Sequence, residues 1–536
     1  MEIRTEVLVV GGGVGGVAAA LGALGAGRAV VLTEESPWLG GQLTTQAVPP
    51  DEHPWIEQRG STGRYRALRR AIRAHYRRWY PLSEAAKHSR YLNPGGSWVS
   101  PLSHEPRVAR AVIADQLQPS RSSGRLTLLM DTRPVASDLE GDLVRAVRFH
   151  DARHGRSIDV VASVVIDATE TGQLLELTHT EFITGSESRG QTGEPHASEE
   201  RRPLNMQAFT VCLAVDHVAG ADFVIERPAS YAMWRSAVQP HTAAPYLSWT
   251  ATNPRTLEPI SYPFEPEASD MADDRSHVQG KAPGAKDLWT YRRIIARRNF
   301  APGAYLGDIS VINWPQNDFA GGALIGVSAE AAAEHLAQAR ELTLSLLYWL
   351  QTDAPRPDGG VGWPGLRPRG DVVGTTDGLA LRPYVRESRR IAAEYTVTEL
   401  DVSAALRRTA AQYPDSVGTG YYRIDLHPTT GGDNFVDIAS VPYELPLGAL
   451  LPVRVDNLLP GAKNIGTTHV TNGCYRVHPT EWLVGEVAGM LAGYAIEHRI
   501  APRAVRSSPA HREAFQSELV TAGVDLHWPK GLRAPS

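Results

Sequence analysis

The chain has 536 residues, of which 42% are hydrophobic and 21% charged, and its formal net charge is −5 at pH 7. This length predicts two or more domains with a large core. The composition is typical of a folded globular protein and excludes a disordered chain. Because no run of Lys and Arg forms a strongly basic surface, a nucleic-acid partner is not expected.

Two cysteines, Cys212 and Cys474, allow at most one disulfide, which fits a reducing compartment. No run of eighteen apolar residues predicts a membrane span, and the first residues lack a signal-peptide pattern. We therefore expect a cytoplasmic protein with no membrane partner and no metal site. Assembly into a homo-oligomer stays open.

The first predicted elements are a strand, a glycine-rich turn and a helix. The apolar run 7–10 precedes a G-x-G-x-x-G motif, and the Ala-rich stretch 17–24 follows it. Gly11 permits the tight turn, Gly13 lets the backbone approach a pyrophosphate, and Gly16 lets the helix pack closely on the sheet. The positive end of the helix then faces the phosphates, so the order of elements predicts a dinucleotide site that also includes Gly15.

The next predicted strand, 29–32, leads to Glu34, where an acidic side chain can accept hydrogen bonds from an adenosine ribose. Gly40 and Gly41 follow within the segment LGGQLTT at 39–45. A nicotinamide-binding unit has no special need for glycines there, whereas a flavin extends past this point. The pair therefore favours a flavin, with Gln42 and its neighbouring threonines near the ring or the ribityl hydroxyls, and an ordinary turn is the alternative.

Further elements follow along the chain from their apolar periodicity and turn residues. The predicted helices lie at 64–79, 105–117, 328–350 and 479–497. The predicted strands lie at 126–130, within a hairpin at 135–151, and at 158–166, 421–426, 435–443 and 457–459, and loops are predicted at 184–203 and 252–286.

Two strand and helix ends are predicted to meet the cofactor. The strand at 158–166 runs into Asp167 and Thr169, which brings Thr169 to the carboxyl edge of the sheet, although a plain turn fits equally well. In the tail, His469 and His478 precede a helix that opens near Pro479. Its positive end suits the flavin region that becomes anionic on reduction, and hydrogen-bonded structural histidines are the alternative.

On these motifs the chain resembles the FAD-dependent oxidoreductase family, within the glutathione-reductase-type FAD-binding superfamily. The matching segments are 7–23 (VLVVGGGVGGVAAALGA), 40–53 (GGQLTTQAVPPDEH), 166–172 (IDATETG), 383–391 (PYVRESRRI) and the tail 458–489. The chain has neither the redox cysteine pair nor the second dinucleotide motif of the disulfide-reductase branch.

The resemblance implies an α/β fold in which a discontinuous Rossmann-like FAD-binding domain carries an inserted α+β substrate domain. The FAD-binding domain is expected at 1–178, with a helical insertion at about 49–100, and at 444–500. The substrate domain is expected at 179–443 and a C-terminal extension at 501–536. The implied cofactor is FAD, with adenosine contacts from Gly11, Gly13, Gly16 and Glu34 and flavin contacts from Gly41, Gln42, Gly466, Arg476, His478 and Pro479.

The simplest predicted function is oxidation of a small organic substrate by hydride transfer to FAD N5, with reoxidation by oxygen or another acceptor. Such chemistry usually needs a base near the reacting proton, and two arginines are candidates for gripping an anionic substrate group. The candidate bases are His469, His478, Tyr384 and Tyr475, the candidate arginines are Arg386 and Arg476, and the expected pocket segments are 228–262 and 311–319, with Trp314, Asn317 and Asp318.

Three alternatives stay open. The first is a flavin monooxygenase reduced by NAD(P)H, and the second is a non-catalytic FAD-binding interaction protein. The third is an enzyme that uses a nicotinamide cofactor alone.

Overall fold

The structure is a computed structural model that describes residues 1–267 and 287–532. Of the predicted loop at 252–286, residues 268–286 lie outside this range. The helices are α1 (Val14–Gly25), α2 (Gly63–Trp79), α3 (Glu84–His88), α4 (Pro106–Ser122), α5 (Gln173–Leu177), α6 (Arg189–Thr192), α7 (Tyr231–Ser236), α8 (Leu288–Tyr291), α9 (Ala329–Thr352), α10 (Gly370–Val373), α11 (Glu399–Val402), α12 (His469–Tyr475), α13 (His478–His498), α14 (Pro502–Ser507) and α15 (Pro509–Thr521).

The strands fall into one large sheet and several smaller ones. The large sheet contains β1 (Glu2–Val10), β2 (Val30–Glu34), β3 (Leu126–Met130), β4 (Thr132–Glu140), β5 (Leu143–Asp151), β6 (Arg156–Asp167) and β21 (Leu458–Pro460). The others are β7 (Phe182–Ile183), β8 (Phe209–Thr210), β9 (Leu213–His217), β10 (Thr250–Thr252), β11 (Pro259–Ser261), β12 (Arg293–Ile295), β13 (Ile309–Ile312), β14 (Asp318–Phe319), β15 (Leu366–Pro368), β16 (Arg390–Ile391), β17 (Ser416–Gly420), β18 (Ile424–Leu426), β19 (Val436–Ile438) and β20 (Tyr443–Pro446).

The large sheet is parallel where the strands are most apolar. Its order is β3-β2-β1-β6, with β5 and β4 continuing as an antiparallel meander and β21 pairing in parallel with the second half of β6. Val10 lies opposite both Thr33 and Asp167, and Pro460 also lies opposite Asp167. The carboxyl ends of β1, β2, β6 and β21 therefore meet at one edge, where ligands bind in open α/β sheets.

Helices α1 and α13 pack against each other so closely that glycines are required between them. A Cβ added to Gly485 would lie 1.9 Å from the carbonyl oxygen of Gly15, and one added to Gly489 would lie 2.0 Å from that of Ala19. Because the atom that the added Cβ would meet is a backbone oxygen in each case, a side-chain rotation cannot relieve either clash. This contact fixes the start of α13 beside the start of α1.

A second hydrophobic core lies within the segment predicted as the substrate domain. The antiparallel sheet β12-β13-β9-β15 forms one side of this core, and α9 contributes Leu346, Trp349 and Leu350 to it. Trp289 and Trp314 are also buried there. The domain bounds given above stay a prediction.

Several predicted elements are confirmed, and two strands were predicted too long. The strand at 126–130 and the helices at 64–79, 328–350 and 479–497 are present within two residues at each end. The prediction at 421–426 is wrong over 421–423 because β17 pairs with β20 while β18 pairs with β19, so the chain changes partners there. The strand predicted at 435–443 is too long for the same reason, because this segment contains β19 and only the first residue of β20. Within the described residues, no helix combines the length and the apolar character needed to cross a bilayer.

Candidate functional site

The glycine-rich turn leaves one of its motif glycines facing open space. A Cβ on Gly11, whose φ is +97°, would lie 2.3 Å from the Ala168 carbonyl oxygen, and one on Gly16 would lie 1.8 Å from that of Gly11. These two glycines are thus required by the turn and by packing, as predicted. The nearest atom to a Cβ on Gly13 is Glu481 Oε1 at 3.9 Å, and no side chain caps α1 at this residue. The space beside Gly13 is therefore open to a ligand, although the Gly15 amide at the start of α1 already donates to Glu481 Oε1 at 3.4 Å.

Glu34 lies at the end of β2, where the sequence analysis expects a ribose contact. Its carboxylate accepts hydrogen bonds from the backbone amides of Gly12 at 2.8 Å and Ser36 at 2.9 Å. Burial raises the pKa of Glu34. The side chain is therefore held next to the glycine-rich turn, and the ribose contact stays a prediction.

A cavity of about 410 Å³ opens at the same edge of the sheet. The end of β3 and the residues after β2 form part of its wall, and four arginines give the wall a positive charge. This is the place in a doubly wound sheet where a nucleotide fits. The lining residues are Pro37, Leu39, Arg110, Ala114, Arg121, Leu128–Met130, Thr132, Asp151, Arg153, His154 and Arg156.

The segment after β2 packs on the glycine-rich turn. Gly41 has a φ of +47°, and a Cβ there would lie 2.8 Å from Gly13 Cα. The next side chain, Gln42, donates through Nε2 to Glu481 Oε2 at 2.6 Å and to the Arg476 carbonyl oxygen at 3.2 Å. Gln42 therefore joins the segment after β2 to the start of α13, and its contact with a flavin stays a prediction.

Several buried polar atoms in the segments 40–53 and 458–489 have no hydrogen-bond partner in the protein. They include the amide oxygens of Gln42, Gln46 and Asn472 and the hydroxyl of Thr467. A buried polar atom that makes no hydrogen bond costs about 1 to 3 kcal/mol, so such atoms usually have a partner. The hydroxyl and ring N–H groups of FAD match these acceptors, and the residues present fit this cofactor.

A charged triad lies beneath the turn. Lys463 pairs with Glu170 and lies 4.0 Å from Glu481, and its side chain is buried. Burial lowers the pKa of Lys463, but the charges of Glu170 and Glu481 and the hydrogen bond to Glu170 together raise it by more. Burial raises the pKa of Glu170 to about 7. Because Glu481 also accepts from the Gly15 amide at 3.4 Å, the triad places negative charge beside the start of α1.

Other predicted cofactor residues have structural partners of their own. The Thr169 hydroxyl donates to Asp167 at 2.7 Å and accepts from the Gln173 amide at 2.7 Å. A Cβ on Gly466 would lie 2.4 Å from that of Ala393. Pro479 lies in the first turn of α13. Their contacts with FAD stay predictions.

Three arginines and three aspartates form three ion pairs, of which all side chains but that of Asp425 are buried, and the Arg476 carbonyl oxygen of one pair accepts from Gln42. We call Arg292, Arg386, Arg476, Asp51, Asp318 and Asp425 the arginine–aspartate cluster. Arg476 donates to the Tyr384 hydroxyl oxygen at 2.8 Å and to the Asp425 carboxylate at 3.3 Å. Burial raises the pKa of Tyr384, so this phenol keeps its proton while it accepts from Arg476. Its own O–H therefore stays available as a donor.

Arg386, predicted to bind substrate, makes its hydrogen bonds within the segment 179–443 that is predicted as the substrate domain. It donates to the Ala208 carbonyl oxygen at 2.7 Å, Thr210 Oγ1 at 3.0 Å and Asp318 Oδ1 at 3.0 Å. Its guanidinium carbon also lies 4.8 Å from the centre of the Tyr384 ring. A two-bond grip on a substrate carboxylate would require this arginine to give up these partners, and the same holds for Arg476.

His478 lies on the opposite side of the cluster. The Asp51 amide donates to His478 Nδ1 at 3.1 Å, and Arg292 donates to the Asp51 carboxylate at 3.2 Å. Burial lowers the pKa of His478 to about 4, so the ring is neutral near pH 7. His469 differs, because burial lowers its pKa but the charge of Glu387 and the hydrogen bond to it, with the charge of Glu187, together raise it by more. His469 is therefore suited to hold a proton and His478 to remain neutral.

His427 was not among the predicted residues, yet it lies between two carboxylates of the cluster. Its Nδ1 lies 2.6 Å from Asp318 Oδ2 and its Nε2 lies 3.7 Å from Asp425 Oδ2. Burial raises the pKa of Asp318, but the charge of Arg386 and the hydrogen bonds from His427 and Thr210 together lower it by more, to about 2. The signal in the sequence is the Asp-Leu-His at the end of a predicted strand, which places Asp425 and His427 on one face.

The other residues predicted to be catalytic or to line the pocket are buried and contact other parts of the protein. The Tyr475 hydroxyl donates to the Glu444 carbonyl oxygen at 2.9 Å. Trp314 lies in the second core, and the Asn317 amide donates to the Val211 carbonyl oxygen at 3.3 Å. Of the three pocket residues expected at 311–319, the structure brings Asp318 alone into the cluster. The pairing of Asp51 with Arg292 was missed because the two residues are 241 positions apart, and only Asp51 lies in a recognised segment.

The fold and the turn define a dinucleotide-binding α/β protein. The family model described as FAD dependent oxidoreductase matches residues 6–519, so the chain belongs to this family of enzymes, whose cofactor is FAD. No curated protein sequence matches the chain.

Solved structures match over part of the chain. They include an L-proline dehydrogenase from P. horikoshii, which is 15% identical with a TM-score of 0.18 over 35% of this chain and 24% of that one. A glycerol-3-phosphate dehydrogenase from Bacillus halodurans complexed with FAD is 16% identical, with a TM-score of 0.25 over 40% of each chain. The OxyS anhydrotetracycline hydroxylase from Streptomyces rimosus is 14% identical, with a TM-score of 0.23 over 40% of this chain and 38% of that one. The chain thus spans about a quarter to two fifths of the length of these proteins.

Proposed function

We propose that the protein oxidises a small polar molecule at a C–H bond beside a hydroxyl or amine, with FAD as the hydride acceptor. Bound FAD supplies a two-electron acceptor, and the protein supplies binding and position. The observation that carries the proposal is His427, held between Asp318 and Asp425 in the cluster that Arg476 joins to the Gln42 segment.

His427 is the proposed proton acceptor. As the substrate loses hydride from carbon, the proton of its hydroxyl or amine moves to the imidazole. The carboxylates of Asp318 and Asp425 stabilise the imidazolium that forms, because both remain ionised beside it. Asp318 also fixes the ring through its bond to Nδ1, which leaves Nε2 as the nitrogen that takes the proton.

Tyr384 and Arg476 are the proposed partners of the substrate heteroatom. The Tyr384 O–H is free to donate because its oxygen accepts from Arg476. Negative charge that develops on a substrate oxygen would be stabilised by this donor and by the nearby guanidinium. In this arrangement Arg386 is a positioning residue, since it holds Asp318 at 3.0 Å.

An anaerobic screen of holoprotein tests the proposal. Alcohols, hydroxy acids, amines and sugars are added without oxygen, and loss of flavin absorbance is recorded. We expect at least one class to reduce the flavin in single turnover without NAD(P)H. If NADPH alone bleaches the flavin and labelled oxygen enters a product, the protein is a monooxygenase. If nothing reduces it, the proposal is wrong and a binding role is favoured.

A further inference from the structure

We infer that the substrate is a neutral polyhydroxylated molecule, a sugar or a polyol, and this inference rests on the proposed function. The site is a cavity of about 710 Å³ that borders the arginine–aspartate cluster, which we call the outer cavity. Its volume is in the range of small-molecule sites. The lining residues are Arg189, His196–Glu200, Arg202, His241, Leu426, Thr429, Gly432–Val436 and His469.

The cations of the outer cavity are neutralised by carboxylates of the protein. Arg189 pairs with Glu199 at 2.8 Å, and Arg202 pairs with Asp433. His196 lies 2.7 Å from the Glu399 carboxylate. An anionic substrate would have to displace these partners and would also meet the carboxylate of Glu200. Because both arginines of the wall are already paired within the protein, the wall favours a ligand without net charge.

The same wall is rich in hydrogen-bonding groups and carries an aromatic ring. Asn434 uses its side-chain oxygen to accept from the Phe435 amide at 2.8 Å, which leaves its NH₂ group for a ligand. Ser198 contributes a hydroxyl and Glu200 a carboxylate to the lining. A sugar presents hydroxyls around its edge and C–H bonds on its faces, so it matches polar groups that surround an aromatic ring.

The outer cavity leads to the proposed proton acceptor. Leu426 and Thr429, on either side of His427 in sequence, both line it. The centre of the Phe435 ring lies 5.5 Å from that of the His427 ring. A smaller cavity of about 40 Å³ shares Thr429 and Phe435 with the outer one and reaches Asp318. A ligand in the outer cavity thus reaches Leu426, Thr429 and Phe435, the residues around His427, while His427 itself lines neither cavity.

The arginine–aspartate cluster also favours a substrate without net charge. Its three arginines are matched by three aspartates, and the terminal nitrogens of Arg386 and Arg476 bind protein atoms. The resulting step oxidises one CH–OH group to C=O. The hydride and its two electrons go to FAD, and the hydroxyl proton goes to His427. An external acceptor, oxygen or a quinone, then reoxidises the flavin.

The test compares substrate classes on the same holoprotein under anaerobic conditions. One panel contains neutral aldoses, disaccharides and polyols, and the other contains 2-hydroxy acids, amino acids and amines at equal concentration. We expect the neutral panel to bleach the flavin and the charged panel to leave it oxidised. Bleaching by charged compounds alone overturns the inference and leaves the proposed function intact. If neither panel bleaches it, the proposed function fails, and fluorescence titration with the sugars then decides whether they bind; no binding overturns the inference.

Two variants locate the site. Phe435→Ala and Asn434→Ala should each raise the KM for the active sugar about ten-fold, while kcat stays within two-fold and the flavin spectrum is unchanged. Trp79→Ala, which removes a ring that is 65% exposed on α2, is the matched control and should leave KM unchanged. Unchanged KM in both variants would place the substrate elsewhere.

Discussion

A carboxylate occupies the space next to the turn that is expected to bind the FAD phosphates. Glu481 is 1% exposed, accepts from the Gly15 amide and from Gln42, and is the nearest side chain to the open face of Gly13. Lys463 offsets its charge only in part, because this lysine pairs more closely with Glu170. The phosphates of a bound dinucleotide therefore meet a fixed negative charge.

We expect Glu481→Gln to tighten FAD binding. The amide keeps a hydrogen-bond acceptor for Gly15 but removes the repulsion, and we expect the Kd to fall about ten-fold, roughly 1.4 kcal/mol. Titration of apoprotein, followed by the quenching of FAD fluorescence, measures the change. Glu486→Gln is the control, since Glu486 is on the same helix but pairs with Arg64 at 2.6 Å. A weaker Kd for the Glu481 variant would mean that the carboxylate itself binds the cofactor.

At His427 we expect substitution to reduce turnover without loss of the cofactor. In His427→Gln the side chain still reaches Asp318 but cannot take a proton, so kcat should fall about 10² to 10⁴-fold. Stopped-flow reduction of the flavin measures this rate, and the flavin content of the purified variant should match the parent. His88→Gln on the exposed face of α3 provides the comparison. Full activity in His427→Gln would remove this residue from the mechanism.

The glycine-rich turn of this site could be predicted from the sequence better than the arginine–aspartate cluster could. Gly11 and Gly16 were predictable because strand, turn and helix are contiguous and the steric reason for each glycine is local. His427 and Asp318 come together only through tertiary packing, since they are 109 residues apart. Arg386 shows the same limit, because its partner Asp318 is 68 residues away in sequence.

At the scale of elements, the α1 and α13 contact connects the two ends of the chain. The predicted helix at 479–497 was identifiable from its small residues, which suit close packing. Helix α12 was missed because Thr471, Asn472 and Gly473 have low helix propensity, and a capping box at Thr468 compensates for this. Which strands the short strands β17 and β18 pair with depends on tertiary packing, and the hydrophobic periodicity of the sequence does not predict it.

We expect Gly489→Ala to separate these helices. The added methyl would lie 2.0 Å from the Ala19 carbonyl oxygen, so the backbone must shift, at a cost of about 1 to 3 kcal/mol. Urea unfolding gives the change in stability, and FAD content gives the change at the turn. Gly190→Ala is the control, because its nearest atom would be 3.9 Å away. Equal stability of the two variants would show that the helices can move apart without cost.

At the scale of the whole molecule, three buried histidines make folding sensitive to acid. Burial lowers the pKa of His53, His104 and His478 to about 4 in each case. In the unfolded chain a histidine titrates near 6.5, so between pH 6.5 and 4 the unfolded state binds more protons than the folded state. Stability is therefore complete above pH 6.5 and is lost as the pH falls toward 4.

Glu170 opposes this trend. Its pKa of about 7 in the fold exceeds the ordinary value of a glutamate, so the folded state binds its proton first, and this term favours folding as the pH falls from 7. Asp167, whose pKa burial raises to about 6, and His469, whose pKa is also raised, act in the same direction as Glu170. Each of the three buried histidines contributes at most about 1.4 kcal/mol per pH unit, and the opposing groups offset part of their combined slope.

We therefore expect His104→Gln to weaken the acid sensitivity of the apoprotein. Its free energy of unfolding should fall less between pH 6.5 and 4.5 than that of the parent, by at most about 1.4 kcal/mol per pH unit, because the neutral amide has no proton to gain on unfolding. Urea titrations at pH 7.0, 6.0, 5.0 and 4.5 and constant ionic strength measure both curves, and His88→Gln should follow the parent. Identical curves for His104→Gln and the parent would mean that His104 reaches water in the folded state, which would contradict its burial.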